Sequence, residues 1–81
     1  MLEITIDEWI SLPREKKKTF TGCVNWPGDV KIYYYNGKCH RENGPAIEWP
    51  STHEQYNEYY IHDVKTSKEG MDLYSTSQKL E

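Results

Sequence analysis

The sequence predicts a small α+β fold: an antiparallel, twisted meander of about four to six short strands in repeated hairpins, with a short helix at each end. Three observations predict it. Apolar spacing changes from helical to alternating near Thr19. Asn36-Gly37 follows Tyr33-Tyr34-Tyr35 directly, and this is a strong hairpin signal because a type I′ turn needs positive φ at both central residues. An aromatic hairpin also occurs twice. Tyr33-Tyr34 recurs as Tyr59-Tyr60 and Gly44 as Gly70 at one common offset, and Trp26-Pro27 recurs as Trp49-Pro50 at a slightly shorter one. Spacing of that size belongs to repeat architectures.

Residues 1–18 read as a helical segment of a single domain spanning 1–81. Thr5 with Glu8 three residues on fits a capping box. Ile6, Trp9 and Ile10 then fall on one face, with Trp9 and Ile10 as anchors onto a sheet. Pro13 breaks the helix, and Arg14 to Lys18 adds one more turn. Residues 19–65 read as the β-hairpin repeats. Phe20 to Trp26 is a strand ended by Pro27-Gly28-Asp29. Val30 to Tyr35 follows, with Val30, Ile32 and Tyr34 on one face and Lys31, Tyr33 and Tyr35 on the other. Lys38 to His40 and Ala46 to Trp49 are short strands. Pro50 to Gln55 is a polar loop, Tyr56 to Ile61 the last strand, and His62-Asp63 a turn. Residues 66–78 read as a short C-terminal helix capped by Ser67, covering the sheet edge.

Aromatics make up 14% of the 81 residues, with seven Tyr, three Trp and one Phe. So short a chain buries only about 60–65% of its unfolded surface, so the tyrosines cannot all be internal and some belong to a contact surface. The net charge of −3 gives no general attraction to nucleic acid or anionic membrane. The basic run Arg14, Lys16, Lys17, Lys18 reads as a solvated helix end. No stretch approaches the ~18 apolar residues of a membrane span, and no apolar signal core is seen, so a cytoplasmic location is expected, the host cytoplasm if the protein is viral. Cys23 and Cys39 then read as free thiols.

The stretch Tyr33, Asn36, Gly37, Lys38, His40, Arg41, Glu42, Gly44, Pro45, Ala46 resembles the short hairpin repeat "YxxNGKxHREDGPA" of bacteriophage and large-virus proteins, a MORN-like repeat, with Asn43 in place of the usual Asp. The resemblance covers that one unit. It implies a repeat-type β protein of viral origin, and it brings no catalytic chemistry.

His40-Arg41-Glu42 looks catalytic at first sight, since a carboxylate can orient a histidine base. Neighbours on a strand point to opposite faces, however, so His40 and Arg41 do not converge on one substrate. The stretch reads as architecture, with His40 packed on a tyrosine or bonded to a turn. Cys23, Cys39, His40, His53 and His62 lack zinc-type spacing, and no phosphate loop or nucleophile motif is present. No enzyme activity, cofactor, metal or small-molecule substrate is expected. The expected function is a small protein-binding module, a phage accessory protein that inhibits or redirects a host or bacterial defence protein. Tyr33, Tyr35 and Tyr59 are its first contact candidates, and Tyr56 and Glu58 lie on the opposite face. The alternatives are a nucleic-acid binder using Lys16 to Lys18 with the tyrosines, and a self-assembling repeat that forms a homo-oligomer.

Overall fold

The computed structural model describes residues 2–70. Glu3–Thr5 (β1) leads into helix Ile6–Ser11 (α1) and helix Arg14–Lys17 (α2). The capping box is present: the Glu8 N–H donates to Thr5 Oγ1 (3.2 Å) and the Thr5 N–H donates to Glu8 Oε1 (3.1 Å). Six residues are too few for a helix to stand alone, so tertiary contacts must hold α1. Trp9 supplies them. Its ring stacks on Tyr34 (centroids 4.7 Å) and meets Phe20 edge-on (5.5 Å), pairs worth about 0.5–1.5 kcal/mol each beyond area burial. Ile10 is not the second anchor, being exposed. The helix is too short to turn a wider stripe onto the sheet.

Strands β2 (Gly22–Trp26), β3 (Val30–Tyr35), β4 (Lys38–Cys39) and β5 (Ile47–Glu48) complete the main sheet with β1. The sheet is mixed rather than a pure antiparallel meander, because β1 runs parallel to β2, pairing Ile4 with Val24. That strand has no sequence signature: three residues ending on the cap Thr5 show no resolvable period. The β2–β3 hairpin turns at Gly28 and Asp29 (φ 83° and 63°), and the β3–β4 hairpin at Asn36 and Gly37 (φ 51° and 80°).

Both β4 and β5 lie on the same side of β3. Tyr34 pairs with Cys39, while Ile32 pairs with Ile47. Between them the Tyr33 carbonyl accepts the His40 N–H (3.0 Å) and the Tyr33 N–H donates to the Ala46 carbonyl (2.7 Å). Segment 41–45 is thus an excursion out of what would otherwise be one continuous strand.

Residues 51–56 form a 3-10 helix interrupted at His53. They take in Tyr56, so the last long strand is shorter than its alternation suggests. A second, two-stranded sheet of β6 (Tyr59–Ile61) and β7 (Val64–Thr66) follows, turning at His62 and Asp63 with φ 47° and 67°. The Ile47–Glu58 bridge ties it to β5. The Ser67 hydroxyl accepts the Gly70 N–H (3.1 Å) as residues 68–70 enter a helical turn. The remainder of the expected C-terminal helix lies outside the described residues. Among those described, no helix is long and apolar enough to cross a membrane.

Candidate functional site

Cross-strand partners share a face of a sheet. Ile4, Val24, Ile32 and Ile47 therefore form one apolar row, and the opposite face carries Glu3, Cys23, Lys31, Tyr33 and Glu48. The Trp9–Phe20–Tyr34 cluster covers one end of the apolar face. Among the described residues the other end is left open. There Trp26, Pro27, Gly28, Val30, Ile32, Ile47 and Trp49 line a groove of about 320 Å³. Val30 and Ile32 stay half-buried although β3 is a central strand, Ile47 on β5 is half-buried too, and Trp26 is 41% exposed.

Local chemistry fixes the two tryptophans that bound it. Trp26 closes β2 immediately before the Pro27–Asp29 turn, whose positive φ values fold the chain back tightly. The backbone N–H of Trp49 donates to Asn57 Oδ1 (2.7 Å), and Pro50 then starts the 3-10 helix. That helix carries Tyr56, whose ring tilts against Trp49 (5.5 Å), and His53, stacked on Tyr56 (6.1 Å). Among the described residues the lining holds no acid, base, thiol or hydroxyl. It suits apolar side chains of a ligand and offers nothing to a phosphate or a reacting group.

The opposite face is polar and internally engaged. Tyr33 donates its hydroxyl to Glu48 Oε1 (3.3 Å), and the Arg41 guanidinium lies over its ring. Arg41 also donates to the Pro45 carbonyl (3.2 Å) and to Glu48 Oε2 (3.4 Å). Burial above all pushes the Tyr33 hydroxyl up, with Arg41 opposing and Glu48 adding to it. Lys31 pairs with Glu3 at 3.6 Å.

His40 is the one buried polar side chain among the described residues, 7% exposed. Its Nδ1 accepts the His62 N–H (3.0 Å), its Nε2 lies 3.5 Å from Glu42, and its ring stacks on that of His62 (4.3 Å). An Nδ1 that accepts a backbone proton fixes the Nε2–H tautomer of the neutral ring. Beside it the Cys39 N–H donates to Asp63 Oδ1 (2.6 Å) and the Asp63 N–H to the Cys39 carbonyl (2.9 Å). His40 therefore fastens the β6–β7 hairpin to the end of the β3–β4 hairpin.

The contact candidates named from the sequence fall in different places. Tyr33 and Tyr35 share the polar face of β3. Tyr33 is committed to Arg41 and Glu48, while Tyr35 is 53% exposed beside the His40 and His62 rings (5.7 and 6.4 Å). Glu58, paired with Ile47, projects to the groove's face, where it accepts the Tyr60 hydroxyl (3.1 Å) and meets Lys65 (3.2 Å). Tyr59, one residue on, projects to the other face. Tyr56 is exposed at the groove's aromatic rim. The groove residues went unread in the sequence because the two Trp-Pro pairs looked like repeat punctuation. The available signal was an apolar face, Val30 and Ile32, set beside both tryptophans.

No group of three or more His, Cys, Asp or Glu among the described residues could hold a metal ion. No protein-family model, curated protein sequence or solved structure matches this chain.

Proposed function

We propose that this protein is a small non-enzymatic protein-binding module whose contact surface is the groove between Trp26 and Trp49, extended by Tyr56. The observation that carries this reading is the open, predominantly apolar lining that the described residues present on the sheet face between the two tryptophans. Exposed apolar surface of this kind, with tryptophan and tyrosine at its margins, is the composition of interaction hot spots. The engagement of both His40 ring nitrogens supports a non-catalytic role for the His-Arg-Glu stretch. Lys17, the centre of the basic run, is held over Trp9 (5.5 Å) and donates to the Ile10 carbonyl (3.4 Å), which favours a protein partner over nucleic acid. The resemblance of Tyr33 to Ala46 to phage and large-virus hairpins makes a host protein, a bacterial defence factor among them, the class of partner to seek.

The test is affinity capture from bacterial lysate with wild type and Trp26→Ser, followed by reconstitution with the purified candidate. The reading expects a direct complex lost on Trp26→Ser, in a variant whose amide spectrum away from the groove shows that the fold is kept. A complex that forms equally with Trp26→Ser moves the contact surface elsewhere.

A further inference from the structure

The groove has dimensions that select among peptide conformations. Its floor crosses three neighbouring strands, from Trp26 on β2 through Val30 and Ile32 on β3 to Ile47 on β5. Two strand spacings make it about 10 Å wide, and two residues along β3 make it about 7 Å long. A helix anchored at i, i+4 and i+7 needs roughly 10 Å of length and as much width for its own backbone. A strand added by hydrogen bonding needs an open sheet edge, and the floor is a sheet face. One turn of polyproline II is about 9 Å long and offers apolar side chains on one side. It fits between two aromatic walls, the arrangement that recognises proline-rich segments.

Charge then selects the flanks. Asp29 stands in the turn between lining residues Gly28 and Val30, and Glu54 stands on the 3-10 helix that presents Tyr56; both are exposed. Glu58 faces the same side, and its charge is met by Lys65. Lys31, the single lysine of β3, belongs to the other face and pairs with Glu3. Asp29 and Glu54 thus stand on the turn and the helix that flank the groove, and among the described residues neither forms an ion pair.

We infer that the groove receives an extended, proline-containing segment of a partner protein, with two prolines three residues apart and a basic residue at each flank. This rests on the groove being the contact surface. The prolines pack against Trp26 and Trp49 over Val30, Ile32 and Ile47, and the flanking cations meet Asp29 and Glu54.

The test titrates the nitrogen-15-labelled 81-residue protein with three synthetic peptides. One carries two prolines three apart and an arginine at each end. Its counterparts replace the arginines by glutamates or the prolines by alanines. The arginine peptide is expected to shift, saturably, the indole N–H signals of Trp26 and Trp49 and the backbone amides of Val30, Ile32 and Ile47. Both counterparts are expected to bind at least about ten-fold more weakly at low salt. Asp29→Asn with Glu54→Gln, which leave the lining intact, are expected to weaken the arginine peptide about five- to ten-fold. The inference is overturned if millimolar arginine peptide leaves the groove signals unmoved, or if all three peptides bind alike. It is also overturned if the same signals shift with protein concentration alone, which would make a second copy the occupant. A partner captured through Trp26 that lacks such a segment would overturn this inference and leave the proposed function standing.

Discussion

The guanidinium carbon of Arg41 lies 4.1 Å from the centroid of the Tyr33 ring, and the same side chain donates to the Pro45 carbonyl and to Glu48. Tyr33 holds both ends of the 41–45 excursion with its backbone, and Arg41 closes the excursion over its ring. Gly44 completes the fit: a Cβ there would come within 3.1 Å of the guanidinium carbon. Tyr33, Arg41, Gly44 and Pro45, four of the residues that carry the resemblance to viral hairpins, thereby form one structural device.

Removing either partner of that stack is expected to destabilise the fold. Arg41→Met and Tyr33→Leu should each cost about 1–2 kcal/mol in urea unfolding, and the double variant should show a coupling of about 0.5–1.5 kcal/mol. Arg41→Lys should recover little, since a lysine lacks the planar fork. Strict additivity of the two single variants would remove the stack from the account.

His40 is expected to govern the docking of the β6–β7 hairpin. Its loss in His40→Ala leaves the His62 N–H without its acceptor, at about 1–3 kcal/mol. Amide exchange at His62 and Asp63 should then accelerate about 10- to 100-fold, with Val24 and Ile32 much less affected. Uniform acceleration across the sheet would make His40 a general core residue instead.

Two glycines with nearly the same positive φ separate strain from clash. Gly28 (φ 83°) has open space around it, whereas a Cβ on Gly37 (φ 80°) would run into the Lys18 carbonyl. Gly28→Ala should cost about 1 kcal/mol from φ alone. Gly37→Ala should cost clearly more, because the backbone of the α2 end must move. Equal costs in thermal denaturation would show that the β3–β4 turn does not press on that segment.

Burial, reinforced by Asp63 and Glu58, pushes the Cys39 thiol from 9.0 up to about 11. The fold thus favours the protonated thiol. As pH rises past 9 the unfolded chain loses this proton first, so Cys39 contributes less stability between pH 9 and 11. At pH 8 its thiolate is about 100-fold scarcer than in the unfolded chain. Mass-resolved alkylation of Cys39 should be slower in the native protein by about that factor, and equal rates in native and urea-unfolded protein would contradict it.

Local chemistry was legible in the sequence wherever a residue's role depends on its near neighbours. The Thr5–Glu8 capping box, the Val30 to Tyr35 strand with its two faces, and the turns at Asn36-Gly37 and His62-Asp63 follow from pattern and φ preference. The parallel pairing of β1 was illegible because three residues carry no period. Tyr56 was misplaced because a polar 3-10 helix and a strand end look alike over so few residues. The groove was missed for a different reason: it depends on how much of the apolar face α1 covers. Ile6, Trp9 and Ile10 looked like a broad anchor, but Trp9 carries the docking contacts, and among the described residues the far end of the face is left open.

The central claim is that the His-Arg-Glu stretch is scaffold and that binding resides in the groove. The most direct measurement is the dissociation constant of the reconstituted complex, by calorimetry, for wild type, Trp26→Ser and Glu42→Gln. Glu42 is exposed and lies in the excursion, away from the lining. The account expects at least a ten-fold loss of affinity for Trp26→Ser and less than a two-fold change for Glu42→Gln. The reverse pattern, with binding lost on Glu42→Gln and kept in Trp26→Ser, would contradict it.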